Sequence, residues 1–178
     1  MKYLKTYEAL ITLDLDQEEL ELLMDDAIEN DKIKVVESLL KNGFDPNHRN
    51  FTKDEPLILT AAYEENIEIV KLLIKYNADL NIIVDDLTII ESILTYCIDS
   101  NTLKGITKNL LVHSDVMILL IQSGVNITQK FMEDLNGLKT RHKRISDIAI
   151  KLLNRIKEEC SEQYKIYKLS LTANKYNL

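Results

Sequence analysis

The sequence contains few of the residues that form tight turns. Only four glycines and two prolines are spread over 178 residues, which is too few for the many turns of a β-sandwich but enough for helices joined by short loops. Apolar residues make up 46% of the chain and charged residues 29%, as in an ordinary folded domain. We therefore expect an all-α fold and a single domain over residues 1–178.

Cysteine is also scarce, and long apolar runs are absent. Cys97 and Cys160 show no metal-ligand or redox spacing, so we expect two reduced thiols and no metal or cofactor. The first residues contain no apolar core of a signal peptide, and no run of about 18 apolar residues offers a membrane span. These absences predict a cytoplasmic protein that does not associate with membranes.

What the sequence does contain is an internal repeat with a step of 34 residues. A shift by this step aligns apolar positions with apolar positions and turn residues with turn residues. The aligned pairs are Ala27 with Ala61, Ile33 with Ile67, Val36 with Val70, Leu39 with Leu73, Gly43 with Asn77, Asp45 with Asp79, and Asn47 with Asn81. Short amphipathic helix pairs of this kind are stable only when stacked, which predicts a helical solenoid.

Signals for helix ends divide each repeat into a helix pair. Asp16 followed by Glu19 forms a capping box that predicts the start of the first helix. Gly43 is placed to end the second helix, because glycine readily adopts the left-handed conformation of such an end. Asn77 and Gly124 repeat this signal in the later units.

The third unit carries an insertion. From Asn77 to Gly124 the chain advances 47 residues, which is 13 more than the 34-residue step. Repeat arrays place such insertions in loops, so we expect a loop around residues 100–108, between Tyr96 and Ser114. A fourth, atypical helix pair is expected to cap the array. The predicted parts are an N-terminal segment (1–15), repeats (16–47, 48–81 and 82–126), capping helices (127–160) and a tail (161–178).

Two short stretches alternate between apolar and polar residues as strands do. They are residues 11–15 and residues 167–171. We interpret them either as frayed ends or as short edge strands.

The second repeat contains Pro56-Leu57, Ala61-Ala62, the run from Asn66 to Ile74 and the run from Asn77 to Asn81. In these residues it resembles the ankyrin repeat. A weaker copy spans residues 27–47. The third unit keeps Leu119-Leu120-Ile121 and Gly124-Val125-Asn126.

The resemblance implies a non-enzymatic module that recruits or inhibits a protein partner through a concave surface. In ankyrin arrays this surface consists of the turn tips and the exposed side of the first helix of each pair. Exposed aromatic residues make the usual anchors of such surfaces. Carried over to this chain, the resemblance assigns partner binding to Glu29, Asn30, Arg49, Asn50, Phe51, Thr52, Asp54, Tyr63, Glu64, Val84, Asp86, Thr95 and Tyr96.

The sequence offers no recognisable catalytic pattern. His48, His113 and His142 lie in different units without a carboxylate or cysteine at ligand spacing, and the chain has no phosphate loop or nucleophile elbow. The adjacent carboxylates Asp25-Asp26 and Asp85-Asp86 point in different directions, so we interpret them as solvated. We therefore predict a protein that is not an enzyme, with an enzyme of unrecognised site as the competing class.

Charge is distributed unevenly along the chain. Residues 14–31 carry nine acidic side chains and no lysine or arginine, whereas residues 139–168 carry nine basic side chains against four acidic ones. The acidic end favours a protein partner with a basic surface, such as a nuclease toxin, and hence the hypothesis of an immunity or antitoxin-type inhibitor. An adaptor or a secreted effector fits the same features.

Two further expectations concern other partners and assembly. The net charge of −7 disfavours nucleic acid as a partner, because phosphates repel an acidic protein. We expect a monomer when unbound. The alternative is an oligomer in which the acidic end of one copy meets the basic end of the next.

Overall fold

The computed structural model describes residues 15–176. Most of these residues are helical, so the expected all-α class is confirmed. The chain falls into two compact units, Met1–Asp79 (unit 1) and Leu80–Leu178 (unit 2). The predicted domain limits stay predictions.

Unit 1 contains two helix pairs. The first consists of α1 (Gln17–Glu29) and α2 (Ile33–Lys41), and the second of α3 (Leu57–Tyr63) and α4 (Ile67–Lys75). Helix α1 packs against α3, and α2 packs against α4, so the pairs stack in the register of the 34-residue repeat. Unit 1 therefore has the stacked arrangement that the repeat predicts.

The helix ends of unit 1 follow the expected local chemistry. The N–H of Glu19 donates to Asp16 Oδ1 at 2.9 Å, and the N–H of Asp16 donates to the Glu19 carboxylate at 3.1 Å, so the capping box is confirmed. Gly43 with φ 95° and Asn77 with φ 65° end the second helix of each pair in the left-handed conformation. The core between these helices includes the buried side chains of Val70 and Leu73.

Unit 2 begins with a small hairpin of two-residue strands. Strands β1 (Ile83–Val84) and β2 (Leu87–Thr88) are antiparallel, with Ile83 opposite Thr88 and Val84 opposite Leu87. Asp85 and Asp86 form the tip with φ of 50° and 63°. Aspartate is among the few residues that tolerate this conformation.

The helices of unit 2 follow the hairpin. They are α5 (Ile89–Ile98), α6 (Leu103–Gln122), α7 (Gln129–Gly137), α8 (Lys143–Glu159) and α9 (Ser161–Tyr176), with a 3₁₀ turn at Leu138–Thr140. Helix α6 packs against both α5 and α8. Gly124 after α6 has φ 114°, so this predicted left-handed turn is also confirmed.

The loop predicted around residues 100–108 is wrong, because the insertion lengthens a helix. Helix α6 begins at Leu103, and the Thr102 hydroxyl caps it by accepting the N–H of Gly105 at 3.0 Å. Ile106, Leu110 and His113 lie on one buried face of the added turns. The extra residues therefore contribute to the core of unit 2.

The strand-like interpretation of residues 167–171 is also wrong, since the predicted tail forms α9. Cys160, Tyr164, Tyr167 and Leu171 recur at helical spacing, and α9 packs against α8. Five residues are too short a window to separate an alternating pattern from a helical one. Residues 11–14 of the other alternating stretch lie outside the described residues.

Candidate protein-binding surface

A tightly bonded turn carries most of the predicted binding residues of unit 1. Residues 49–56, called here the Phe51 turn, are closed at the base by a bridge between Arg49 and Pro56. Above it the N–H of Asn50 donates to the carbonyl of Glu55 at 2.6 Å. The N–H of Asp54 donates to the carbonyl of Asn50 at 2.9 Å. These bonds give the turn a defined shape.

Asn50 lies inside this turn, which corrects the exposed position expected of it. Its side chain is only 1% exposed. Its Oδ1 accepts the N–H groups of Thr52 and Lys53 at 3.0 and 2.9 Å, and the Thr52 hydroxyl at 2.7 Å. Asparagine in such turns commonly bonds the backbone two residues on. Asn50 therefore shapes the turn from within.

Phe51 is displayed by this arrangement. Its side chain is 55% exposed although it is a large apolar group. Thr52 and Asp54 are exposed beside it, and Arg49 donates to the Asp54 carboxylate at 2.9 Å. An exposed aromatic side chain on a turn of defined backbone shape is the kind of group that anchors protein interfaces.

Helix α1 holds the turn from below. The Asp25 carboxylate accepts the N–H of Phe51 at 2.8 Å through Oδ2, and Asp25 is only 5% exposed. At the end of the same helix the Glu29 carboxylate lies 3.7 Å from Lys53 Nζ. Burial raises the pKa of Asp25 above its usual value, and the bond from Phe51 only partly opposes this rise.

Other polar atoms beside the turn are buried without a hydrogen bond. Among the described residues no group bonds Asp25 Oδ1, Asn50 Nδ2 or His48 Nε2. His48 Nε2 lies 3.7 Å from a Glu21 oxygen, which is beyond hydrogen-bond distance. The expectation that Asp25-Asp26 is a solvated pair is thus wrong for Asp25, whereas Asp26 is exposed and pairs with Lys32.

A groove lies at the two turns that follow α1 and α3. It has a volume of about 290 Å³ and is lined partly by the apolar side chains of Ile28, Ile33 and Ile67. Its carboxylates are those of Glu29, Asp31, Glu64, Glu65 and Glu68. We call it the acidic groove.

The cations within reach leave much of the groove's charge uncompensated. Glu29 is paired with Lys53, and Glu68 with Lys71 at 2.7 Å. No lysine or arginine in residues 15–176 lies within ion-pair distance of Glu64 or Glu65.

The remaining predicted residues of unit 1 lie at the C-terminal ends of the first helices. Glu29 and Glu64 are exposed and line the acidic groove. Asn30 is exposed and donates to the Asp26 carboxylate at 2.8 Å. Tyr63, the last residue of α3, is half-buried. The structure thus places Glu29 next to the Phe51 turn and Glu64 in the groove.

Unit 2 carries the other four predicted residues. Val84 is half-buried at the end of β1, and Asp86 is exposed at the hairpin tip. Thr95 and Tyr96 are exposed on α5, and the Tyr96 ring lies 5.4 Å from the ring of His113. The hairpin tip and the Thr95–Tyr96 side of α5 are therefore exposed on unit 2, whereas most of α5 is buried.

The described part of the chain contains no group of three or more His, Cys, Asp or Glu side chains that could hold a metal ion. No helix in it is both long and apolar enough to cross a bilayer.

Stacked helix pairs, left-handed helix ends and projecting turns define an ankyrin-type repeat protein. The family of ankyrin repeats (3 copies) matches residues 23–131, which is more than half of the chain. The protein belongs to the ankyrin-repeat family, as the resemblance of the second repeat predicts. Ankyrin repeats generally mediate protein–protein interaction, and the family is typically non-enzymatic.

A curated relative is viral. An ankyrin repeat protein of Fowlpox virus (strain NVSL) is 38% identical to this chain over 91 residues, which is 49% of this chain and 13% of the viral protein. The chain therefore spans only a small part of that relative's length. No solved structure matches the chain.

Several residues that shape the surface are missing from the sequence-based prediction. Asp25 of α1 accepts a hydrogen bond from the turn, and Lys53 of the turn pairs with Glu29 of α1. Asp31 and Glu65 line the acidic groove. Asp31 and Glu65 are equivalent positions of the repeat, both with positive φ, so the 34-residue step was the signal that could have grouped them. No sequence signal marks Asp25.

Proposed function

We propose that this protein is a non-enzymatic binding module that binds a protein partner through unit 1. The observation that carries the proposal is the exposure of Phe51 on a turn bonded to α1. An aromatic side chain on a turn whose backbone is already fixed can fill a pocket of the partner, and less backbone ordering is needed on binding. The predicted residues Arg49, Thr52 and Asp54 form the polar surround of this anchor.

The partner carries a basic surface in this proposal. The acidic groove and the acidic first helix support it, as does the net charge of −7. Complementary charge raises the association rate and selects against acidic partners such as nucleic acid. The aliphatic stems of lysine and arginine also suit the isoleucine side chains of the groove.

Inhibition of a basic toxin by an immunity-type mechanism is the finer form of the proposal. Its support is the charge of unit 1 and the lack of a recognisable catalytic pattern in the sequence. An adaptor or effector that recruits its partner is the second form, supported by the same surface. In both forms the protein acts as a monomer. Its place of action is the cytoplasm, a compartment that the low cysteine content favours.

The test is capture of a partner followed by measured affinity. The tagged full chain captures proteins from lysate of the source cells, and the partner is purified for calorimetry with wild type, Phe51→Ala and Leu169→Ala. Leu169, which is 62% exposed in unit 2, is the matched control. We expect Phe51→Ala to weaken binding at least about tenfold, and Leu169→Ala to leave it unchanged.

Two outcomes contradict the proposal. The first is a partner whose affinity is the same for wild type and Phe51→Ala. The second is a partner that the protein converts chemically, with turnover lost when a Glu or His is replaced. Loss of the partner's own activity in the complex supports inhibition, and unchanged activity supports recruitment.

A further inference from the structure

We propose that Asp25 is a positioning residue that fixes the Phe51 turn for partner binding. This inference rests on the proposed function for its purpose. Asp25 lies below the turn and is itself 5% exposed, so it acts through Phe51 and not by touching a partner.

The geometry makes Asp25 the link between the helix and the turn. Its Oδ2 accepts the N–H of Phe51 at 2.8 Å, across 26 residues of chain. A carboxylate that accepts an N–H forms a stronger bond than a neutral amide oxygen does. The turn's other described backbone bonds join residues 48–60 to one another, so they set its shape but not its attachment to α1. Besides Asp25, the described contact between the turn and α1 is the exposed ion pair of Lys53 with Glu29 at 3.7 Å.

The surroundings of Asp25 are poor for a carboxylate. Its other oxygen, Oδ1, is buried and has no hydrogen bond among the described residues. Glu21 and Glu29 lie one turn before and after it on α1 and repel its charge, whereas the Phe51 N–H and His48 oppose the rise in the pKa of Asp25. Replacing a buried charge that has so little compensation with an apolar side chain commonly leaves the stability of the protein unchanged or raises it.

The burial of the Asp25 carboxylate lowers the stability of the fold, whereas its bond to the Phe51 N–H fixes the position of the turn. If this position of α1 only supported the fold, an apolar side chain would contribute more to stability than a carboxylate does. A residue that fixes the turn needs a strong acceptor at this place, which a carboxylate supplies. Such opposition between stability and local order is typical of functional positions.

The test compares Asp25→Ala, Asp25→Asn and Asp26→Ala in the full chain. Asp26→Ala is the matched control because it removes a carboxylate of the same helix that does not bond the turn. Hydrogen exchange is measured at the Phe51 amide and at the core amides of Val70 and Leu73. The chain has three phenylalanines, so fluorine labelling gives a separate signal for Phe51 and an internal reference in the buried Phe131.

The expected result is a local loss of order. In Asp25→Ala the Phe51 amide exchanges on the order of tenfold faster while the core amides keep their rates. The fluorine signal of Phe51 changes and that of Phe131 does not. Asp25→Asn, which keeps a weaker acceptor, gives an intermediate rate, and Asp26→Ala behaves as wild type.

Binding is then measured with the partner captured by wild type. We expect Asp25→Ala to bind about tenfold more weakly without a fall in melting temperature. The inference is overturned if the Phe51 amide and fluorine signals are unchanged, or if affinity falls only together with global stability. Wild-type affinity in Asp25→Ala with a loss in Phe51→Ala overturns it and leaves the proposed function intact. A partner indifferent to Phe51→Ala overturns the proposed function instead, and the exchange data decide the positioning of the turn.

Discussion

The Glu91 carboxylate in α5 accepts the hydroxyl of Thr128, the N-cap of α7, at 2.6 Å. Its other oxygen accepts the N–H and the hydroxyl of Thr88, both at 2.7 Å. Glu91 is only 5% exposed, and burial opposes its ionisation. The bonds from Thr128 and Thr88 outweigh burial and hold the pKa of Glu91 below its usual value. One carboxylate thus ties the starts of two helices in unit 2.

Replacement of this carboxylate is expected to destabilise unit 2. Glu91→Ala leaves the Thr88 N–H and the Thr128 hydroxyl without their acceptor, so the free energy of unfolding falls by about 2–3 kcal/mol. Urea denaturation measures the change. The control Glu158→Ala, at an exposed site on α8, shifts stability by less than about 0.5 kcal/mol. Equal effects of the two variants would contradict the structural role of Glu91.

The same carboxylate predicts a loss of stability in acid. Because the pKa of Glu91 is lower in the folded than in the unfolded chain, its contribution is fully present above the usual value of 4.5 and is lost as pH falls through the lowered value. Glu91→Ala lacks this contribution at every pH. The stability difference between wild type and variant should therefore shrink on acidification, as urea titrations over a pH series will measure.

For Asp25 we expect the opposite dependence of stability on pH. Its pKa is raised above the usual 3.8, mainly by burial, with Glu21 and Glu29 adding to the rise and the Phe51 N–H and His48 opposing it. Wild type therefore loses stability as pH rises through the raised pKa. Asp25→Asn removes the charge, so it should be more stable than wild type near neutral pH and lose this advantage in acid. An Asp25→Asn variant that is less stable than wild type near neutral pH in a urea denaturation series would contradict this prediction.

Leu73 predicts the cost of a cavity in the repeat core. Its side chain is buried in α4, at the position equivalent to Leu39. Leu73→Ala should lower the free energy of unfolding by about 2–5 kcal/mol, because the stacked helices cannot fully close the space. Leu22→Ala, on the exposed side of α1, should change it by less than about 0.5 kcal/mol. A loss of less than about 1 kcal/mol in Leu73→Ala would show that the site collapses readily.

Two glycines of unit 2 provide a paired test of the backbone. Gly124 has φ 114°, where a side chain is strained, so Gly124→Ala should lower stability by about 1 kcal/mol or more. Gly137, with φ −59°, has open space around its Cα, so Gly137→Ala should raise stability by about 0.5 kcal/mol. Thermal unfolding of both variants measures the signs. A rise in stability in Gly124→Ala would mean that the turn after α6 is not left-handed in solution.

The repeat is predictable from sequence because its signals are local and recur. The capping box at Asp16 and the turns at Gly43, Asn77 and Gly124 each depend on a few neighbouring residues, and each is found where it was expected. The insertion is different. Its prediction as a loop rests on the general tendency of repeat arrays to place insertions in loops, and not on the residue pattern of the inserted segment. Thr102, Ile106 and Leu110 already show a cap and a helical spacing that predict the start of α6.

The candidate surface is only partly predictable, since its burial depends on contacts distant in sequence. The position of Phe51 follows from the family resemblance, and its exposure agrees with it. The burial of Asn50 could have been expected from the turn chemistry of asparagine. The burial of Asp25 could not, because it arises only when residues 49–56 fold back on α1.

The acidic groove predicts how binding depends on salt. Glu64→Gln/Glu65→Gln removes two carboxylates that have no cation within ion-pair distance in residues 15–176, while Glu18→Gln/Glu158→Gln removes the same charge elsewhere. At low ionic strength the first variant should associate with the captured partner several-fold more slowly than the second, because charges near the contact steer the encounter. The difference should nearly vanish at about 0.5 M salt, where exposed charges are screened. Stopped-flow association rates measure both effects. Equal rates for the two variants at low salt would mean that only net charge matters and that the groove is not at the interface.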